Sequence, residues 1–173
     1  EVKTPIRPAI SWLDGAHEIH DIYENSIPQL FVPNILSFAT EGKELFYGAV
    51  RNPLQYWSPW RLNDNDNLEK KLGLGEIKDE LIDLLSPERL LDILKNFSLF
   101  TTNKKKQRSK VICRFQQYEG ANKIVERVIK GKEKKGLIWH FQGSGKSLLM
   151  VFAAQKLRKL AELKSPTVLV LVD

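Results

Sequence analysis

The chain has 173 residues, with 27 lysines and arginines against 21 aspartates and glutamates, a formal charge of +6, and a composition 42% hydrophobic and 28% charged. These are the proportions of a folded globular protein with room for one full domain or parts of two. No apolar run reaches the length needed to span a membrane, and no signal peptide is visible. The single cysteine, Cys113, excludes an intrachain disulfide and a cysteine-built zinc site within the stretch and fits a reducing cytoplasm. The basic balance fits a polyanionic partner. Beginning at Glu1 and ending at Asp173 directly after the apolar run TVLVLV, the chain reads as a piece of a longer protein.

Taken in order, EVKTPIRP (1–8) reads as the end of a strand followed by a proline-broken loop. Glu1 and Lys3 alternate in phase and fall on one face of that strand. A carboxylate holding Mg²⁺ beside a lysine that steadies the attacking water is a metal-nuclease arrangement. A lone Glu-x-Lys is also a common surface pair, and its second metal ligand, an Asp, would lie upstream. Residues 11–25 predict a helix from about Asp14, with Ile19, Ile22 and Tyr23 on one face, closed by Pro28. His17 and His20 share that helix at i, i+3, a spacing that suits a metal but lacks a third ligand, so they read as exposed helix histidines. Residues 30–40 and 44–50 predict two strands joined by a turn at Glu41-Gly42-Lys43, with Pro33 placing the first at an edge or bulge.

RNPLQYWSPWRL (51–62) has no clear period. Trp57 and Trp60 read as pins holding a loop to the core, with a stacking surface for bases as the other reading. NDNDN (63–67) lacks the spacing and distal Glu of a calcium loop and reads as solvated. Residues 68–85 predict a helix or helix pair interrupted at Gly73 and Gly75. Ser86-Pro87 starts the next helix, with Leu90, Leu91, Ile93, Leu94 and Phe97 buried. KKKQRSK (104–110) reads as an exposed basic connector, able to touch a phosphate backbone or simply to link two domains. From Tyr118 to Ile129 a helical stripe holds Ala121, Ile124, Val125, Val128 and Ile129.

The strongest signal is GLIWHFQGSGKSLL, residues 136–149. An apolar run that predicts a buried strand meets a glycine turn, then a helix beginning at Lys146-Ser147. Gly143 and Gly145 permit backbone conformations closed to other residues, so successive N–H groups can converge on one anion beside the positive end of the helix. In such a phosphate loop, formed by Gly143, Ser144, Gly145, Lys146 and Ser147, the Lys146 ammonium reaches the β- and γ-phosphates and the Ser147 hydroxyl sits on Mg²⁺. The full pattern has a glycine five residues before Gly145, where this chain has His140. His140 gets no catalytic role. Thr167–Val172 predicts a second strand, making a right-handed βαβ unit with a parallel sheet. A helix upstream, Arg114-x-x-Gln117 has the form of the unit that reads adenine in superfamily 2 nucleic-acid motors; a glutamine amide can pair with N6 and N7 of the base.

In this order EVKTP, DIYENSIPQLF, FVPNILSFATEGKELFYGAV, WSPW, SPERLLDILKNF, RFQQYEGANKIVERV and GLIWHFQGSGKSLLMVFAAQKL resemble the R (restriction and motor) subunit of type I restriction–modification enzymes along essentially the whole chain. The most specific part is IWHFQGSGKSLLMVFAA, in which His140 becomes part of the family's own form of the loop. The resemblance implies an α/β architecture: the C-terminal half of a PD-(D/E)xK-type nuclease domain, then the first βαβ portion of a RecA-like P-loop motor domain. Residues 1–103 would be the nuclease remainder with a helical extension, 104–110 the basic linker and 111–173 the start of the motor. It also implies Glu1 and Lys3 as nuclease residues, Glu1 and Ser147 as Mg²⁺ contacts, and Gln117 with Gly143–Ser147 as the ATP site. Double-stranded DNA and the methyltransferase (M) and specificity (S) subunits are the implied partners. The family's Gln-x-x-x-Tyr motif is matched at Tyr23 but not at Ile19, which leaves its DNA-handling role open. Two other readings stand beside this one: a superfamily 2 DNA helicase or translocase without nuclease activity, and a nucleotide-gated P-loop binding module.

Overall fold

The computed structural model describes residues 11–42, 44–61, 76–102, 106 and 108–171. Glu1, Lys3, the solvated stretch 63–67 and the glycines at 73 and 75 lie outside them. The chain is mixed α/β, with small sheets and helices. It divides into two compact units, one running to Leu94 and including Ser98–Ile112, the other formed by Lys95–Phe97 and the chain from Cys113 onward.

In the first unit, helix α1 (Trp12–His17) starts at a capping box. The Ser11 hydroxyl accepts from the Leu13 N–H at 3.2 Å and the Asp14 carboxylate accepts from the Ser11 N–H at 3.0 Å. The helix therefore begins just ahead of the predicted start, and Asp14 is its N3 residue. It continues through a π-helical stretch, Glu18–Tyr23, into α2 (Glu24–Ser26). His17 and His20 each face a carboxylate four residues on, Asp21 at 2.7 Å and Glu24 at 3.1 Å. The helical run ends at Ser26, with Ile27 outside helical geometry at φ -134° and ψ 58°, just ahead of Pro28 as the sequence predicts, but the proline then opens a separate short helix. It occupies the first turn of α3 (Pro28–Phe31), where its missing N–H has no partner to lose, so Leu30 and Phe31 are helical and the first strand starts only at Leu36.

Strands β1 (Leu36–Thr40) and β2 (Leu45–Ala49) pair antiparallel, Leu36 opposite Ala49 and Thr40 opposite Leu45. The short β3 (Ser58–Pro59) pairs with the other edge of β2. The two tryptophans flanking β3 are core residues, Trp57 being 6% exposed and Trp60 0%, so neither offers a face for bases. Trp57 donates from its indole to the Asn52 carbonyl at 3.2 Å, and Trp60 donates to Asp83 at 2.8 Å and meets Tyr47 edge-on at 5.4 Å. Trp12 stacks on Phe46 with 3.9 Å between ring centroids. Gly48 makes room for Trp57: a β-carbon there would lie 2.4 Å from the indole ring. Gly48→Ala is expected to displace Trp57 and cost roughly 1–3 kcal/mol, by the usual cost of overpacking. The check is a lowered denaturant midpoint with an unchanged m-value; an unaltered midpoint would refute this close packing.

Helices α4 (Glu76–Leu84) and α5 (Pro87–Asn96) follow. The Ser86 hydroxyl donates back to the Asp83 carbonyl at 3.0 Å. The apolar run of α5 is wider than one helical face. Ile93 and Phe97, four apart, are fully buried, whereas Leu91 and Leu94, expected inside, are 64% and 48% exposed. Val128 and Ile129 of the downstream stripe are likewise exposed.

Strands β4 (Ser98–Thr102) and β5 (Arg108–Ile112) form an antiparallel hairpin, Ser98 opposite Ile112 and Thr102 opposite Arg108. Part of the stretch read as a basic connector is therefore strand: Arg108, Ser109 and Lys110 belong to β5, and the unit boundary falls after Ile112. Lys110 donates to the Asn34 carbonyl at 3.3 Å.

The second unit is two packed helices, α6 (Phe115–Lys130) and α7 (Lys146–Lys159), with the segment joining them. Ala121 and Val125 of α6 and Leu149, Phe152 and Ala153 of α7 are buried. Phe97 lies against Tyr118 at 4.7 Å and Phe152 at 5.6 Å between centroids. Gly120 allows the close approach, since a β-carbon there would sit 2.7 Å from Leu149 Cδ1. Exposed Glu119–Lys123 and Glu126–Lys130 pairs run along α6, and Lys130 holds the Glu126 carboxyl below the usual carboxylate range. The helix stops at Gly131, in the left-handed region at φ 62°.

Residues 136–141 and 167–171 do not form the predicted strands. A strand is defined by its ladder, and neither segment is paired among the described residues. Both are irregular runs with apolar side chains exposed, among them Leu137, Trp139, Leu169 and Leu171. The expected βαβ unit is thus represented here by its turn and helix.

Candidate nucleotide-binding site

The site is built where the first turns of α6 and α7 come together. The apolar contact of Gly120 with Leu149 fixes the two helices, and this sets Arg114 and Gln117 beside the loop that precedes α7. Within the loop Gly143 and Gly145 both take left-handed φ, 83° and 82°. Both conformations favour glycine, and Gly145 is also the glycine that the motif requires before its lysine. Gly145 is the N-cap of α7, so Lys146 and Ser147 open the helix as the sequence predicts. The first N–H groups of such a helix have no intrahelical acceptor and carry its positive pole.

The polar groups are arranged around that turn. Lys146 Nζ donates to the His140 carbonyl at 3.2 Å and to the Phe141 carbonyl at 3.1 Å. The lysine thus lies back along the loop, over the residue that stands where the general motif has its first glycine. Ser144 N–H donates to the Phe141 carbonyl at 3.3 Å, tightening the turn. Ser144 is 3% exposed, and its hydroxyl has no hydrogen-bond partner among the described residues. Ser147 is exposed in the first turn of α7. Two left-handed glycines, a helix N-terminus, a free buried hydroxyl and a mobile-stemmed ammonium within a few residues form a donor set that fits phosphate oxygens.

Gln117 is packed against the loop. Its side chain is 2% exposed. Its Oε1 accepts from the Arg114 N–H at 2.8 Å, and its Nε2 donates to the Gly145 carbonyl at 3.0 Å and the Ser144 carbonyl at 3.5 Å. Both ends of the amide are engaged within the unit. Arg114 Nη1 reaches the Gly143 carbonyl at 3.5 Å, a role that spacing alone did not announce. Tyr23 lies in the first unit, with its side chain exposed.

Two comparisons show what the chain is similar to. The SWI2/SNF2 ATPase family matches residues 116–173, the part that contains Gln117 and the whole loop. Over its full length the chain is 34% identical to the type I restriction enzyme HindI endonuclease subunit of Haemophilus influenzae, and spans 17% of that protein. Two proteins of Methanocaldococcus jannaschii are similar as well. The putative type I restriction enzyme MjaVIIP endonuclease subunit is 32% identical over 94% of this chain and 16% of its own length. The putative MjaVIIIP endonuclease subunit is 30% identical over 87% of this chain and 15% of its own. No solved structure matches the chain. The relationship is therefore to the endonuclease subunits of type I restriction enzymes, as the residues themselves suggested, with an ATPase-type motor segment at the C-terminal end.

Proposed function

We infer that the chain is part of an ATP-dependent endonuclease that translocates DNA and cuts it as a type I restriction enzyme does. The observation that carries the reading is the phosphate-loop geometry of Gly143–Ser147 within a chain that is similar along its whole length to endonuclease subunits. Its first part would be the remainder of a PD-(D/E)xK-type nuclease domain, with Glu1 as a Mg²⁺ ligand and Lys3 beside the attacking water. Its last part would be the start of a RecA-like motor domain. Double-stranded DNA would be the substrate and track, and the M and S subunits the partners.

In the motor, the bound nucleotide supplies the phosphoanhydride whose cleavage drives movement. The loop amides and the N-terminus of α7 hold its phosphates, Lys146 places positive charge on the transferring group, and Ser147 offers its hydroxyl to the magnesium ion. Hydrolysis further requires a carboxylate pair that holds the metal and places water, and an arginine that stabilises the transition state. After Ser147 the chain has only Glu162 and Asp173 as acidic residues, which form no such pair. The isolated 173-residue segment is therefore expected to bind nucleotide weakly and to show neither ATP hydrolysis nor DNA cleavage, whereas the whole protein does both. Turnover of ATP by the purified segment, measured as phosphate release, would contradict this assignment. The SWI2/SNF2 match alone would also suit a motor without nuclease chemistry. Full-length similarity to proteins named as endonuclease subunits favours the combined enzyme.

A further inference from the structure

The β4–β5 hairpin carries charge to which neither the phosphate loop nor the nuclease pair gives a role. Residues 98–112 hold five lysines and arginines and none of the 21 acidic residues, so most of the formal charge of +6 sits on this one stretch. Cross-strand partners project to the same face, and successive pairs alternate between faces. Phe100 pairs with Lys110 and Thr102 with Arg108, so these four share a face, while Leu99 with Val111 and Thr101 with Ser109 occupy the other. The base of the ribbon is anchored: Lys110 is half-buried and engaged with the Asn34 carbonyl at 3.3 Å, and β5 lies beside β2. Toward the other end, Thr102, Lys106 and Arg108 are exposed. The Arg108 guanidinium lies 4.2 Å above the centre of the exposed Phe100 ring. Neither Lys106 nor Arg108 forms an ion pair among the described residues. On α6, by contrast, Lys123, Arg127 and Lys130 each face a carboxylate, of Glu119, Glu133 and Glu126.

We propose that the exposed end of this hairpin, through Lys106, Arg108 and the Thr102 hydroxyl, holds the phosphate backbone of duplex DNA without reading its sequence. This rests on the reading of the protein as an enzyme that moves along DNA, and it names a surface for that track. The major groove of B-DNA, about 12 Å wide, admits a two-stranded ribbon. Arginine, lysine and hydroxyl side chains are the usual partners of phosphate oxygens, and such contacts carry no base information, as a motor crossing any sequence requires. Cations without a carboxylate partner bind phosphate at full strength and release its condensed counterions, whereas a lysine already paired with a glutamate has that pairing to lose. Phe100 covers one flat side of the Arg108 guanidinium and leaves the N–H groups along its edge free to meet a phosphate.

The experiment measures binding of the full-length protein to a blunt duplex of random sequence over a range of salt concentrations, in the wild type, Lys106→Ala, Arg108→Ala, the double variant and Arg108→Lys. Each alanine is expected to make the plot of log affinity against log salt less steep by about 0.9, and so to weaken binding roughly eightfold at about 0.1 M salt, with the double variant losing both contributions. Arg108→Lys keeps the charge and is expected to keep the wild-type slope. Lys106→Ala, between the strands, keeps the test open should Arg108→Ala loosen the ribbon. ATP affinity measured without DNA should be unchanged in every variant. The proposal is overturned if the double variant keeps the wild-type slope and affinity, or if affinity falls with no change in slope, the sign of a damaged fold and not of a lost phosphate contact. It is equally overturned if the double variant binds the duplex as the wild type does but loses binding to polyglutamate or to anionic lipid vesicles, which would assign the hairpin to another partner. If the wild type itself fails to bind the duplex at low salt, the reading of the protein as an enzyme that moves along DNA falls, and the hairpin's role with it.

Discussion

Lys146→Ala in the full-length protein is expected to lower ATP turnover by roughly 10²–10³-fold or more, the effect of removing one preorganised positive group from a developing charge. Translocation and ATP-dependent cleavage should disappear with it. The expectation follows from position. Lys146 is the first residue of α7, directly after a glycine at φ 82°, and its ammonium lies along the loop on the carbonyls of His140 and Phe141. A long stem anchored at that point can move from those carbonyls to a terminal phosphate with no change in the backbone. The loop fold should survive, because Ser144 N–H to Phe141, Arg114 to Gly143 and Gln117 to Gly145 all remain. Phosphate release in the presence of DNA is the measurement. Turnover within a few-fold of the wild type would mean that the loop does not serve catalysis.

Lys3→Ala is expected to separate the two activities. DNA cleavage should fall by roughly 10²–10³-fold, the same electrostatic scale applied to the attacking water, while ATP hydrolysis and translocation continue at the wild-type rate. The basis is the Glu1-x-Lys3 spacing, which by alternation is expected to bring both side chains to one strand face, combined with the similarity of the whole chain to endonuclease subunits. Cleavage and ATP turnover followed in the same preparation decide the matter. If both fall together, the division into a nuclease site and a motor site is wrong.

How much of this was legible beforehand depended on whether the signal was local. The phosphate loop could be read because its requirement is concentrated in a few adjacent residues: two glycines for left-handed φ and a Lys-Ser at a helix start. The tryptophans at 57 and 60 were legible as pins because an indole among prolines with no helical or strand period has few other uses. Gln117 was legible as a neighbour of the loop, but its hydrogen bonds to the loop carbonyls were not. Spacing places a side chain on a helix face; it does not say whether the amide turns toward a ligand or toward the loop's own carbonyls. The Gly145 and Gln117 contact that decides this lies between residues far apart in the chain.

The β4–β5 hairpin was hidden by the run of lysines within it. Leu99 and Phe100 before the run and Val111 and Ile112 after it carried the strand signal, and the positive charge drew attention to solvent and phosphate instead. Conversely, 136–141 and 167–172 have strong strand compositions. Composition supplies the propensity, but the ladder has to come from a neighbour, and none is present among the described residues. In α5 the apolar run exceeded one face, so burial divided between Ile93 and Phe97 inside and Leu91 and Leu94 outside.

Gly143–Ser147 are proposed to hold the ATP of a motor that moves along DNA. This is tested most directly by the rate of ATP hydrolysis of the full-length protein, assembled with its companion subunits, with and without long double-stranded DNA. DNA is expected to raise the rate severalfold, and Lys146→Ala to abolish the DNA-dependent part. A rate indifferent to DNA, or a DNA-dependent rate that survives Lys146→Ala, would contradict the account.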